Sequence, residues 1–285
     1  MADDRIPFVW TNDDIAHGLA EPLERQLAFL DRMGIPGVFF VVPGAPKPLT
    51  EDEGLLAVIR DARGRGHEFY QHGLVHSPFE SGVPELWMLQ FSDEVFRDYD
   101  ERRLEIEAQH SLSTMVRMLS MGQAIWREAF GEDSVGYRPG WGAFCGNLYR
   151  ALDVLGYAWM SSRIPCPTSW LYNQGKFDAP LNFREAVSAA PERMGGSVAE
   201  YPMAGDYGFR VPNESDKIDA MVKLGMREME HYCEIDAPML MCSHWHGLEH
   251  AEGSGYAVHE QLIPRLLDSG RVEPMGMAGL HARQG

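Results

Sequence analysis

The chain lacks most of what would tie it to a membrane, an oxidising compartment or a polyanion. No apolar run approaches the ~20 residues needed to cross a bilayer; the longest strongly apolar stretch is about 37–42. The acidic start Met1-Ala2-Asp3-Asp4-Arg5 has neither a basic nor an apolar leader segment, so no secretion signal is expected and a cytoplasmic protein is. Cysteine is scarce: Cys145, Cys166, Cys233 and Cys242 are widely spaced with no C-x-x-C pair. They are expected to be reduced and mostly buried rather than a disulfide frame or zinc knuckle. Basic residues are few, 25 against 42 acidic, and the net charge of −17 repels phosphate backbones and anionic membrane. Nucleic acid and membrane are therefore not expected as partners, and solubility is the plainer use of the charge. Repeats, low-complexity tracts and linkers are also missing, so a single domain over 1–285 is expected.

What is present is an alternation of short apolar runs and longer amphipathic ones. Strands are expected at Ile6–Trp10, Gly37–Val42, Gly66–Gln71, Ser134–Tyr137, Tyr157–Ser161, Val198–Met203, Met239–Ser243 and Arg271–Met275. Helices are expected at Glu21–Met33, where Leu23, Leu27 and Leu30 share a face, and at Glu51–Arg65, Asn147–Leu155, Ser215–Tyr232 and Tyr256–Leu267. A long helix or helix pair is expected over about 100–130. Two stretches rich in Pro, Gly, Ser and aromatics, 77–99 and 163–196, read as loop insertions on one face. About seven strands with intervening helices favour an α/β fold of the (β/α) barrel kind over an open sheet.

His72 and His76, four residues apart beyond the third strand, can chelate a divalent metal if the loop turns helically; otherwise they are surface histidines. Other polar residues share their placement. Asp13 and Asp14 follow the first strand, Arg138 the fourth, and His244 the run Met239–Ser243. Strand C-termini of a β/α barrel converge on one mouth, so these residues can meet despite their separation in sequence.

The ordered motifs resemble the polysaccharide deacetylase (NodB-homology) superfamily, the family 4 carbohydrate esterases, along nearly the whole chain. Thr11-Asn12-Asp13-Asp14 is similar to the family's Thr-Phe-Asp-Asp, and Gly66-His67-Glu68 followed by His72-x-x-x-His76 to its histidine motif. Arg138-Pro139-Gly140-Trp141-Gly142 resembles its Arg-x-Pro-aromatic-Gly motif, and Leu240-Met241-Cys242-Ser243-His244 its Leu-x-Leu-x-His ending. The stretches 136–139 and 155–162, with Glu200-Tyr201-Pro202, resemble the branch holding peptidoglycan-deacetylase-like proteins, cyclic imidases and cofactor-independent allantoinases. Departures are Met160 in place of that branch's Asp, Asp206 alone where a pair usually follows the proline, and Ile15 in place of glycine.

The resemblance implies a distorted NodB-type barrel with Asp14, His72 and His76 as ligands of a divalent metal, Zn²⁺ foremost, with Co²⁺ or Ni²⁺ also accepted. It implies Asp13 as general base held by Arg138, the Trp141 backbone N–H as an oxyanion donor, and His244 as general acid. Plainer readings stand beside these: Asp13 as a helix N-cap, Arg138 as a structural ion-pair partner, and His246 in place of His244. Asp206 either tunes the catalytic histidine or caps a turn, while His246, His250 and His259 line the rim or surface. Trp87, Phe91, Trp170, Tyr172 and Tyr207 either stack a sugar or pack the loops.

The expected activity is metal-dependent hydrolysis of an amide C–N bond, removing acetyl from a small N-acetylated amino sugar or sugar-containing molecule. Hydrolysis of a cyclic imide or ureide, and a non-catalytic sugar-binding role, are the rivals. Oligomers are common in the suggested branch, so a homo-oligomer is an expectation too.

Overall fold

The computed structural model describes residues 5–194, 196–249 and 254–284. The first third is a regular β/α alternation: β1 (Ile6–Ile15), α1 (Ala20–Met33), β2 (Gly37–Val41), α2 (Glu53–Gly64) and β3 (Glu68–His72). Local chemistry sets these bounds. The Asp52 carboxylate accepts the Leu55 N–H and starts α2, and Gly34 at φ 69° ends α1 in the left-handed region. β1 runs five residues beyond the expected Trp10, because its pairing with β2 continues through a register shift between Asn12 and Ile15.

The middle of the chain holds α3 (Leu86–Leu89), α4 (Asp93–Ala108), α5 (Leu112–Phe130), β4 (Gly136–Arg138), α6 (Gly146–Val154), β5 (Trp159–Met160) and α7 (Thr168–Asn173). The first insertion is thus partly helical, and α4 begins well before residue 100 because Ser92 Oγ caps the Val95 N–H. The remainder is β6 (Glu192–Arg193), β7 (Ala199–Glu200), α8 (Ser215–Glu234), β8 (Met239–Met241), α9 (Trp245–Leu248), α10 (Ser254–Asp268), β9 (Val272–Pro274) and an unexpected C-terminal helix α11 (Met277–Gln284).

The sheet order is β6-β7-β5-β4-β3-β2-β1-β8, with β9 on the start of β1; every pairing is parallel except that of β6 with β7. β7 is shorter than the expected Val198–Met203 because the chain leaves β5 at that point. Tyr201 N–H donates to Met160 O at 2.8 Å and Met203 N–H to Arg163 O at 2.7 Å, whereas Ala204 N–H already donates to Leu240 O at 2.7 Å. Residues 201–206 therefore carry the curled sheet from β5 across to β8. The result is a distorted barrel.

The alternation of side chains across each strand fills both faces. Phe8, Trp10, Phe39, Val41 and Phe69 pack outward against α1, α2, α8 and α10, while Val9, Val38, Phe40, Tyr70, Trp159, Tyr201 and Leu240 fill the interior. At the strand starts, Met277 and Leu280 of α11 plug that interior, and Ala278 N–H donates to the Glu68 carboxylate at 3.1 Å. At the strand ends the interior turns polar. Among the described residues no helix is long and apolar enough to cross a membrane. All four cysteines are free, but only Cys166 and Cys242 are buried; Cys145 and Cys233 are half-buried.

Candidate metal centre and active site

Four strand ends deliver the polar residues to one cavity of about 500 Å³. Asp13 and Asp14 lie in the irregular end of β1, His72 and Arg138 are the last residues of β3 and β4, and His244 follows β8. The β1–β8 ladder reaches this point, since Asp13 N–H donates to Ser243 O at 2.9 Å and Ser243 N–H to Thr11 O at 2.8 Å. Among the described residues, five non-glycine positions have positive φ, and four of them (Asp14, His76, Trp141 and Arg210) line this cavity. Such backbone costs of order 1–3 kcal/mol per residue and clusters where a side chain must be aimed.

Asp14 Oδ1 lies 3.1 Å from His72 Nε2 and 2.9 Å from His76 Nε2. One ligand atom from each of the three residues falls within 4.8 Å of the others. His72 Nδ1 donates to Arg138 O at 2.9 Å, which turns Nε2 towards Asp14, where it donates to the carboxylate when it carries a proton and offers a lone pair to a metal when it does not. A mixed carboxylate and imidazole set with one tautomer already fixed fits a divalent metal of the zinc kind. Burial raises the Asp14 carboxyl, but hydrogen bonds from His72 and His76 outweigh it and hold the group well below the usual carboxylate range.

His76 does not arrive by the helical turn that its spacing suggests. Gly73 at φ 61° reverses the chain, and the Glu80 carboxylate collects the N–H groups of Leu74 (2.8 Å), Val75 (2.9 Å) and His76 (3.1 Å). A Cβ at Gly73 would overlap Oε1 of Glu80, and one at Gly140 would come within 2.7 Å of the His76 ring. Glu80 lies in the first insertion and was not singled out from sequence; Gly73 directly after His72 was the available hint.

Asp13 and Arg138 form a second unit. The Arg138 side chain is 1% exposed; Nη1 donates to Asp13 Oδ1 at 2.7 Å and Thr11 Oγ1 at 2.8 Å, and Nη2 donates to Ser161 Oγ at 3.0 Å. Its guanidinium sits 4.0 Å above the Phe40 ring, on the apolar floor of the barrel. Asp13 Oδ2, turned away from Arg138, lies 4.0 Å from His72 Nε2 and 3.8 Å from Cys242 Sγ. Asp13 is part of β1, so it caps no helix.

His244 and Asp206 form the third. His244 Nδ1 is 2.6 Å from Asp206 Oδ2, and Asp206 Oδ1 accepts the Gly208 and Phe209 N–H groups, each at 3.0 Å. Burial lowers the His244 pKa, but the Asp206 hydrogen bond and the charges of Asp14 and Asp13 overcome this and raise it to about 9. His246 goes the other way, down to about 4, through burial and the neighbouring His244. It lines the cavity rim with Nδ1 3.7 Å from Asp14 Oδ2. Behind Asp206, the buried Glu228 accepts the Gly205 N–H at 3.3 Å and is itself pushed up by burial to about 7.

Some expected placements differ. His259 is not at the rim: it is fully buried, its Nδ1 accepts from Trp10 Nε1 at 3.0 Å, and burial lowers its pKa to about 4. The apolar face of α10 against β1 carries it inward. His250 lies outside the described residues. Tyr172 and Tyr207 are core residues rather than part of a stacking surface, whereas Phe91 and Trp170 line the cavity with Trp141 and the unforeseen Phe209; Trp87 packs behind Phe91 and Trp170.

No family model matches the chain, and no curated protein matches it in sequence. Solved structures match throughout its length. A Mycobacterium smegmatis protein assigned as a polysaccharide deacetylase superposes with a TM-score of 0.62 at 17% identity, covering 99% of this chain and 91% of that one. The chitin deacetylase of the fungal pathogen Colletotrichum lindemuthianum gives 0.55 at 13% identity, covering 96% and 87%. A CE4-family pseudoenzyme from Bacillus anthracis gives 0.54 at 12%, covering 98% and 66%. The same architecture thus serves active and inactive proteins, and activity must be argued from side chains. The chain has the fold of the CE4 polysaccharide deacetylases, the NodB-type distorted barrel.

Proposed function

We propose that the protein is a metal-dependent hydrolase of amide C–N bonds that removes an acetyl group from a small N-acetylated molecule. An N-acetylamino sugar is the substrate that the sequence resemblance implies. The observation that carries the reading is that Asp13, held by Arg138, and His244, held by Asp206, line the same cavity as the Asp14, His72 and His76 donors. A binding protein has no use for a held carboxylate and a held imidazolium together.

Asp14, His72 and His76 would hold the ion. A divalent metal there would polarise the amide carbonyl and acidify a water, the chemistry such sites supply. Asp13 takes a proton from the water as the water oxygen bonds to the carbonyl carbon, with Arg138 fixing the orientation of the carboxylate. The Trp141 backbone N–H, aimed by its left-handed turn, donates to the oxygen that gains charge. His244, protonated at neutral pH and oriented by Asp206, gives its proton to the nitrogen as the C–N bond breaks. Acetate and the free amine leave.

The test is acetate release from N-acetylated small molecules with and without a chelator. Turnover that is lost on chelation and restored by Zn²⁺ supports the reading; turnover indifferent to chelation refutes it. A cavity of about 500 Å³ also suits a cyclic imide or ureide. Ring opening of those releases no acetate, so the same assay separates the two.

A further inference from the structure

The cavity walls are mostly apolar. Met88 and Phe91 from the first insertion, Ile164 and Trp170 from the second, and Met203 and Phe209 from the segments flanking Asp206 face the metal donors across the cavity. They form an apolar cluster of their own, separate from the cores on either face of the sheet. The two insertions are clamped together where they meet: Arg184 Nη2 donates to Glu85 Oε1 at 3.0 Å, and the guanidinium lies 5.9 Å from the Trp87 ring. This wall is fixed by packing and an ion pair.

Beyond Asp13, Asp14, His72, His76 and His244, the polar side chains lining the cavity are Ser92, Arg210, Cys242 and His246, with the indole N–H groups of Trp141 and Trp170, the latter buried and without a partner. Ser92 Oγ is already the cap of α4, and the Cys242 thiol lies against Asp13 and Arg138. A polyhydroxylated ring would leave hydroxyls against Ile164, Met203 and Phe209 without partners, each costing on the order of tenfold in affinity. Arg210 is the exception in charge. It is exposed at the rim, held at φ 55°, with its guanidinium 4.7 Å from the Phe209 ring, and among the described residues no carboxylate pairs with it. A cation at the mouth of an apolar cavity is matched by an anionic group at the outer end of an apolar ligand.

We infer that the substrate is a small acetamide whose amine portion is aromatic and carries a carboxylate: the ring packs against Trp170 and Phe209, and the carboxylate meets Arg210. This rests on the amide-hydrolase reading above, and the experiment separates the two. Acetate release by the Zn²⁺-loaded protein is compared for N-acetylphenylalanine, N-acetylphenethylamine and N-acetylglucosamine, and binding of each is titrated by tryptophan fluorescence.

The expected kcat/KM falls in that order, with N-acetylphenylalanine exceeding N-acetylglucosamine by on the order of 10- to 100-fold. Arg210→Gln should raise KM for N-acetylphenylalanine by roughly 2- to 5-fold, more than for N-acetylphenethylamine. A higher kcat/KM for the sugar overturns the inference and leaves the amide-hydrolase reading intact. If none of the three releases acetate, the titration decides. Saturable binding of N-acetylphenylalanine and not of the sugar overturns the hydrolase reading and upholds only the ligand chemistry, an aromatic carboxylate in this cavity; binding of the sugar, or of neither, overturns that as well.

Discussion

Asp206→Asn isolates one interaction without opening a cavity. The amide keeps an oxygen for the Gly208 and Phe209 N–H groups and loses the charged acceptor that faces His244 Nδ1 at 2.6 Å. That acceptor makes the largest single contribution against burial in lifting His244 from 6.5 to about 9, so its removal lowers the pKa of the imidazole, leaving only the charges of Asp14 and Asp13 to oppose burial. At pH 7.5 a histidine with a pKa of 6.5 is roughly one-tenth protonated, whereas one near 9 is almost fully so. Loss of protonated acid alone therefore lowers kcat/KM by up to about tenfold at pH 7.5, and the lost orientation adds to this.

The profile is more informative than the rate. The alkaline limb of kcat/KM should lie near pH 9 in the natural protein and move to lower pH in the variant. Stability should follow with a definite sign. A raised pKa in the folded state stabilises below the unfolded value near 6.5, and this is lost as pH rises through about 9. For a shift of this size the contribution is on the order of 3 kcal/mol. Urea denaturation of the chelated protein should show that loss between pH 6.5 and 9, and Asp206→Asn should flatten it. An alkaline limb that stays near 9 in the variant refutes the assignment of His244 as the acid.

Three further outcomes are expected. Asp13→Asn should bind metal as the natural protein does while kcat falls by roughly 10²- to 10⁴-fold, the contribution of a positioned proton acceptor; loss of metal in that variant would make Asp13 a ligand. Gly73→Ala forces a side chain into the space of Glu80 Oε1 at φ 61°, so it should weaken Zn²⁺ affinity through His76, as read by competition with a chromophoric chelator; unchanged affinity would show that Glu80 does not hold the loop. Leu240→Ala, in the fully buried barrel interior, should cost about 2–5 kcal/mol in urea denaturation while leaving metal content unchanged.

What the sequence shows and what it hides divides along physical lines. The β/α alternation is legible because Val38, Phe39 and Phe40 must fill opposite faces of a covered strand, leaving an uninterrupted apolar run. The placement of His72, Arg138 and His244 was legible because parallel strands all end at the same mouth. Closure of the barrel was not, since residues 201–206 cross to β8 through backbone hydrogen bonds that leave no side-chain period. Glu80 was hidden because its acceptors are backbone N–H groups brought together by a left-handed glycine. His259 was misplaced because an imidazole reads as polar, and only the distant Trp10 Nε1 makes its burial tolerable. Of the apolar wall, Phe91 and Trp170 were legible as loop aromatics, whereas Met203 and Phe209 were missed because they belong to irregular segments with no period to reveal which way they point.

The central claim is that Asp14, His72 and His76 form the ligand set of one divalent ion, with Asp13 and His244 acting beside it. Elemental analysis of the purified protein after loading with Zn²⁺ and gel filtration tests it most directly. One equivalent of metal per chain in the natural protein and in Asp13→Asn, and none in His72→Ala, is the predicted result. A His72→Ala protein that retains a full equivalent would contradict the account.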